Sequence, residues 1–450
     1  MKVKQFTFQS ELPVSAQDVF AWHLRKGALE RLIPPWIKSE LLFPPGSPAE
    51  EGSQAGLKIK WGPFAFRWIL EHRNCIQDQE FSDIQLRGPF LHYRHRHRFI
   101  KIDPISSKLS EEIEYSFPLM HRIVQNLFSR YFSWRHAIIR GDLKLIDHYE
   151  RKPLRILLSG SSGLIGSNLK NFLQLAGHEV VRLVRRKEEV GIDAIYWDPV
   201  HDVVQKEDFE GFDAVIHLAG TGIAEGRWSK KKKEEIFLSR CRDTWLLSHI
   251  LCRLYRPPKT LLCASGVGFY GNRGDEELTE ESIRGNGFLA ELCEKWEKGT
   301  EAIENRGTRV VHARFGAVLS AKGGMLEKIL GPMRWGLGGK LGTGEQWVSW
   351  IGIDDLLGAC YHCLMKNELS GAVNCVAPSP MTQVELVETV AKRIGRPAFC
   401  HLPSWFVKAA FGEMGEELLL SGQRVKPTKL LETGYVFRYP DLQTALAYTI

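Results

Sequence analysis

The stretch Arg-Ile-Leu-Leu-Ser-Gly-Ser-Ser-Gly-Leu-Ile-Gly at 155–166 restricts the fold of this chain more than any other segment. An apolar strand (Ile156–Leu158) runs into Gly160-x-x-Gly163-x-x-Gly166. An amphipathic helix (Leu164–Leu175) and a second strand (His178–Leu183) follow. Three glycines alone carry little weight, but glycines set between a strand and a helix in a βαβ unit mark a dinucleotide-binding turn. Gly160 permits the tight turn, Gly163 lets the backbone approach a pyrophosphate, and Gly166 lets helix pack on strand. Ser161, Ser162, Leu164 and Ile165 complete the turn, whose helix offers free N–H groups and a positive dipole end to the phosphates.

The end of the second strand selects the cofactor. An acidic residue there would bind a ribose 2′-hydroxyl and favour NAD. This chain has Val184-Arg185-Arg186, and two guanidinium groups could clamp a 2′-phosphate, so NADP(H) is expected over NAD(H). Later strands extend the same sheet. Ala214–Leu218 runs into the small-residue turn Ala219-Gly220, Lys259–Ala264 leads to Ser265 and Tyr270, and Arg309–Arg314 leads to Gly316. Leu218, Ala219 and Gly220 are placed beside the nucleotide. Arg240 could approach its phosphates or form an intrahelical pair. Functional groups in doubly wound sheets lie beyond the C-terminal strand ends, which singles out Ser265 and Tyr270.

A chain of 450 residues with a net charge of +7 has room for two or three domains and too slight a basic excess to suggest nucleic-acid binding. No stretch approaches the ~18 apolar residues of a membrane span, and the N-terminus lacks a signal-like apolar core, so a cytoplasmic protein is expected. Nine cysteines read as reduced thiols. Cys360 and Cys363 form the one C-x-x-C and read as two small apolar residues of a helix.

The first third differs in character. It begins with the alternation Lys4–Phe8, continues with a helix capped by Ser15, with Val19, Phe20, His23 and Leu24 inward, then several strands. A helix over Leu119–Ile139 closes it, with Ile123, Leu127, Tyr131, Trp134 and Ile138 on one stripe. In Leu91–Phe99, alternation puts Tyr93, His95, His97 and Phe99 on one strand face and His92, Arg94, Arg96 and Arg98 on the other. His95 and His97 could share an ion, but no third ligand is evident, and no metal site is expected. This α+β layout, with the phrase VFAWHLRKGALERLIPPW, resembles the START-like, polyketide-cyclase-like helix-grip superfamily. The resemblance implies an apolar cavity for a hydrophobic ligand. The segment Ile146–Leu154 reads as a linker. The expected domains are 1–148, 154–375 and a small C-terminal α+β extension, 376–450.

From Leu154 onward the chain resembles an extended short-chain dehydrogenase/reductase of the epimerase/dehydratase type, and more narrowly the "epimerase family" proteins with a small C-terminal domain. LLSGSSGLIGSNL, DAVIHLAG, ASGVGFYG, FLAELCEKWE and GLGGKLGTGEQWVSWIGIDDL carry the likeness. It implies a Rossmann-type doubly wound sheet, NADP, a small-molecule substrate and oxidoreductase or epimerase chemistry, with Ser265 steadying a substrate oxygen. The family's Tyr-x-x-x-Lys pair is replaced by Phe288-Leu-Ala-Glu-Leu292, and Phe288 cannot carry a proton. Tyr270 is the substitute phenol, and Glu291 with Lys295 is either a second substitute or a surface ion pair. Asp354-Asp355 is expected to cap a helix. The alternative function is a nucleotide-binding sensor or scaffold that has lost catalysis.

Overall fold

In a computed structural model the described residues are 2–62, 64–117, 121–150, 152–201 and 206–450, with backbone only at 61 and 206. They form two compact units: residues 1–152 with 171–177, and residues 153–170 with 178–450.

The first unit is one antiparallel sheet with three helices. Its elements are β1 (Lys4–Leu12), α1 (Ala16–Leu24), α2 (Ala28–Arg31), β2 (Lys38–Leu41), β3 (Gln54–Trp61), β4 (Phe64–Ile76), β5 (Glu80–Arg87), β6 (His92–Lys101), β7 (Ser107–Ser116) and α3 (His121–Asp147). The strand order is β1-β7-β6-β5-β4-β3-β2. Ser15 caps α1, its hydroxyl accepting from the Asp18 N–H at 3.2 Å. Trp22, rather than Leu24, joins Val19, Phe20 and His23 in the buried face.

The sequence places the buried face of α3 only in part. Trp134 and Ile138 are buried as expected, but Ile123 and Leu127 are half exposed, and the inward residues also include Val124, Phe128, Phe132, Arg135, Ile139, Asp142 and Ile146. The periodicity was obscured because two ionised residues, Arg135 and Asp142, lie on the buried side. Asp142 accepts two bonds from the Arg31 guanidinium at 2.8 Å, which offsets the cost of taking both charges from water. The helix runs to Asp147 and so takes in the start of the expected linker, while its expected first residue, Leu119, lies outside the described residues.

The faces of β6 are as the alternation predicts, with Tyr93, His95, His97 and Phe99 buried. The interior is nonetheless not the apolar space expected for a hydrophobic ligand. A chain of ionisable groups crosses it: His72 Nδ1 lies 2.6 Å from Asp83, Asp83 lies 3.1 Å from His97 Nε2, and His97 Nδ1 and His95 Nε2 lie 2.6 and 2.8 Å from Glu111. Burial holds His23 down to about 3 and His95 to about 4. Burial alone would raise Glu111, but His97 and Arg135 hold it well below the usual carboxylate range.

The second unit is built on a parallel sheet. Its first strands are β8 (Arg155–Ser159), β9 (Glu179–Val184), β10 (Ala194–Tyr196), β11 (Ala214–His217) and β12 (Thr260–Gly266), with helix α4 (Leu164–Leu175) between β8 and β9. The order is β10-β9-β8-β11-β12, then Arg309–Phe315 and Gly371–Cys375, and every pairing is parallel. Ile156, Leu157 and Leu158 are fully buried, as strands covered on both faces require. The order reverses between β8 and β11, and ligands bind at such a switch point.

Residues 376–450 fall in this same unit. Leu386, Val390, Tyr439 and Leu446 share a core with Leu319, Leu326 and Trp350. Asp354-Asp355 does not supply the expected cap, since Gly352 holds that position. Asp355 instead reaches the tail, accepting from the Arg438 and Tyr439 N–H groups at 2.7 and 2.9 Å, and burial pushes it up to about 6. Cys360 and Cys363 are buried free thiols on the helix Ile353–Met365. Among the described residues no helix is long and apolar enough to cross a membrane.

Candidate functional site

The three glycines of the loop after β8 do separate jobs. Gly160 has φ +72°, and a Cβ there would lie 2.7–2.8 Å from the backbone of Leu218 and Ala219. The turns after β8 and β11 therefore touch, and only glycine allows it. A Cβ on Gly166 would lie 2.2 Å from the Gly160 carbonyl oxygen, so this glycine sets the helix against the turn. A Cβ on Gly163 would meet only the Gly160 oxygen, at 3.4 Å. Its side of the loop is otherwise open, which is the room a pyrophosphate needs. Ser161 is half-buried, Ser162 is exposed, and Leu164 and Ile165 begin α4.

Ser159 ties the crevice together. Its hydroxyl accepts from the Leu218 and Ala219 N–H groups at 3.1 and 3.3 Å and lies 2.7 Å from His217 Nδ1. Burial takes His217 down to about 4, so that ring is neutral. Beyond Ala219, a Cβ on Gly220 would lie 3.2–3.4 Å from the Arg240 guanidinium, which brings Arg240 to the crevice.

Arg240 sits on a single π-helical turn, Leu238–Arg242, inside the helical run that Ser229 caps. Such turns recur at functional positions because they re-aim a side chain. Arg240 is 8 % exposed, stands over the Trp296 ring at 5.2 Å, and has no carboxylate within ion-pair distance among the described residues. The intrahelical pair left open by the sequence is absent there. Of the two arginines after β9, Arg186 pairs with Glu189 at 2.6 Å, whereas Arg185 is exposed with no ion pair of its own among the described residues.

The two residues expected to act on the substrate, Ser265 and Tyr270, are turned inward. The Ser265 hydroxyl donates to Glu297 Oε1 at 2.7 Å. Tyr270 is fully buried; its hydroxyl donates to Asn374 Oδ1 at 2.7 Å and accepts from Arg314 at 2.9 Å. Burial pushes the phenol up to about 12, so it is no base at neutral pH. Arg314 and Glu297 join through two bonds of 2.8 Å. Ser265 and Tyr270 both stand in a buried network with Glu297, Arg314 and Asn374, since strand-end position does not fix side-chain direction. Tyr270→Phe is expected to lower stability by about 1–3 kcal/mol with nucleotide affinity unchanged, as measured by urea unfolding and fluorescence titration.

Sequence reasoning missed Glu297, Arg314, Asn374 and Glu417. The Glu417 carboxylate accepts from the Phe288 and Leu289 N–H groups at 2.7 and 3.0 Å, and so caps the helix Phe288–Lys298 from the C-terminal tail. No local signal announces that partner, which lies 129 residues away. Phe288 packs against Trp228 and lies under Lys233 Nζ. Glu291 and Lys295 are both exposed, and they form no ion pair with each other among the described residues.

This chain is similar to known proteins in sequence and fold. Residues 156–375 match the NAD dependent epimerase/dehydratase family, and residues 402–449 match a domain of unknown function, DUF1731. An epimerase family protein of Mycobacterium bovis is 39% identical over 293 residues, which cover 65% of this chain and 96% of that protein. The human epimerase family protein SDR39U1 is 38% identical over 296 residues, 65% of this chain and 98% of that protein. Its crystal structure with NADPH superposes with a TM-score of 0.61 at 36% identity, covering 66% of this chain and 99% of that one. A structure described as the nucleoside-diphosphate sugar epimerase from Corynebacterium glutamicum superposes with a TM-score of 0.82 at 31% identity, covering 99% of this chain and 90% of that one. With its glycine loop at the switch point of a parallel sheet, and with identity of this extent, the chain belongs to the NAD dependent epimerase/dehydratase family.

Proposed function

We propose that the second unit binds NADP(H) across the β8–β11 crevice and acts on a small molecule as an epimerase- or reductase-like protein. The observation that carries this reading is the open side of Gly163 together with Arg240 at Gly220, a buried cation with no carboxylate partner among the described residues. A buried guanidinium is costly unless an anion meets it, and a phosphate offers a fork-shaped match. Gly160 to Ile165 would hold the pyrophosphate, with Arg240 on its far side. Arg185, which has no ion pair among the described residues, would take the 2′-phosphate, with Arg186 beside it. The NADPH in the human relative's structure supports the choice of cofactor. When bound, the nicotinamide supplies or takes a hydride.

Arg185→Ala is expected to weaken NADPH by about 10–100-fold, the range of a lost charged hydrogen bond, and NADH hardly at all. Equal losses for the two nucleotides in a fluorescence titration would remove the 2′-phosphate assignment. The C. glutamicum relative makes a nucleoside-diphosphate sugar the first substrate to assay.

A second reading, a nucleotide-responsive protein without turnover, is favoured by Phe288 at the phenol position and by the burial of Tyr270. Tight NADPH binding without turnover across a sugar-nucleotide panel would select it. For the first unit, the seven-stranded antiparallel sheet and long closing helix support the START-like reading.

A further inference from the structure

We propose that the interior of the first unit is a binding site for one divalent transition-metal ion, held by His23, His97 and Glu111. The three come from separate elements. His23 is in the last turn of α1, and His97 and Glu111 are directly opposed residues on β6 and β7. Their ligand atoms lie within 4.8 Å of one another. All three are buried, with His23 4 % exposed, His97 1 % and Glu111 0 %.

Tautomers and hydrogen bonds select the ligating atoms. His23 Nδ1 lies 2.7 Å from the Val19 carbonyl, which can only accept, so Nδ1 carries the proton and Nε2 the lone pair. That Nε2 is buried and has no hydrogen-bond partner. A histidine whose second nitrogen is fixed by a backbone carbonyl is the usual form of a metal ligand. His97 repeats the pattern with a carboxylate. Its Nε2 faces Asp83 at 3.1 Å, and Asp83 is held in turn by His72 at 2.6 Å. With the Nε2 proton on that bond, the Nδ1 lone pair points at Glu111 Oε2 from 2.6 Å. At that distance a proton lies between the two atoms, and a metal ion bound there replaces it, the two side chains parting to the ~3 Å or more that ligands bonded to one ion at ~2.0–2.2 Å require.

The charge count leads to the same place. Asp83 and Glu111 bring two negative charges and Arg135, 3.3 Å from Glu111 Oε1, brings one positive charge. With neutral imidazoles the buried cluster is left at −1, and either a proton on His97, which its two carboxylate neighbours favour, or a metal ion brings the compensating charge. Arg135 also occupies the side of the carboxylate at Oε1 and leaves Oε2 as the ligand oxygen. His95 Nε2, 2.8 Å from that same oxygen, is placed to be a fourth donor. Arg135 Nε and His97 Nδ1 face the Glu111 oxygens at 3.3 and 2.6 Å, which leaves His23 Nε2 as the buried nitrogen of this cluster without a partner, and native interiors rarely tolerate one. Two imidazoles and one carboxylate suit zinc or iron(II) and disfavour magnesium and calcium, which prefer all-oxygen shells.

The test uses the full chain without a histidine tag. Metal content is read by mass spectrometry, and the metal-stripped protein is titrated with Zn²⁺ and Co²⁺. About one equivalent per chain is expected, with visible d–d absorption from the Co²⁺ adduct and a rise in Tm on adding Zn²⁺. His23→Gln and Glu111→Gln should each weaken binding at least about a hundredfold, beyond what loss of an outer partner usually costs. Circular dichroism reports whether each variant folds. The wild-type titration decides the matter even if neither does. No bound ion in the purified protein, and none taken up on refolding with Zn²⁺ or Co²⁺, overturns the proposal; a proton then occupies the His97–Glu111 gap. Binding of equal strength in a folded variant also overturns it.

Discussion

Replacing Glu297 with alanine is expected to destabilise the second unit by about 3–5 kcal/mol, the cost of leaving a buried ion without its partner. The Glu297 side chain is 12 % exposed and that of Arg314 is 5 %. The carboxylate accepts two bonds from Arg314 and one from Ser265, so one truncation strands a guanidinium and a hydroxyl together. The Arg314 guanidinium also lies against the Phe269 ring, at 3.5 Å, and cannot swing out to water without vacating that packing. Glu297→Gln keeps an acceptor for Ser265 and should fall between the two. Urea unfolding followed by tryptophan fluorescence measures the series. A loss under about 1 kcal/mol for the alanine variant, the range of an exposed pair, would mean that water reaches the network.

A pair of glycine substitutions should separate binding from folding. Gly163→Val is expected to abolish NADPH binding, by at least about a hundredfold, or ~2.7 kcal/mol, while stability changes by about 1 kcal/mol or less. The added carbon meets no protein atom closer than 3.4 Å, so the phosphates alone lose their place. Gly166→Val is expected to cost about 3 kcal/mol or more in stability. There the new carbon would stand 2.2 Å from a backbone oxygen that has nowhere to go. Unchanged NADPH affinity in a folded Gly163→Val protein would end the phosphate-loop assignment. Loss of folding in that variant would show instead that the open side of the turn is needed by the chain itself.

The glycine turn after β8 was legible because its requirements are local. Positive φ at Gly160 and the close approach at Gly166 arise within a dozen residues, and a glycine pattern records them directly. The parallel sheet was legible for a related reason: strands covered on both faces read as continuous apolar runs, here Ile156–Leu158 and Ala214–Ile216. Strand alternation likewise gave the two faces of β6.

Side-chain partnership was not legible. Ser265 and Tyr270 stand where a doubly wound sheet presents functional groups, yet Glu297, Arg314 and Asn374 draw their hydroxyls into the core. Those partners lie 32, 44 and 104 residues away. The inward face of α3 was legible at Trp134 and Ile138 and misread at Ile123 and Leu127, because Arg135 and Asp142 occupy it and a hydrophobicity pattern places charge outside. His23 and Glu111 were missed as neighbours of His97, because they come from other elements that only the fold brings together.

The amino-acid order alone determined backbone conformation and which residues alternate or repeat along an element, because sterics act between near neighbours. Only the tertiary structure decided which polar groups meet, because the cost of burying charge is met by partners that the folded chain brings from far away.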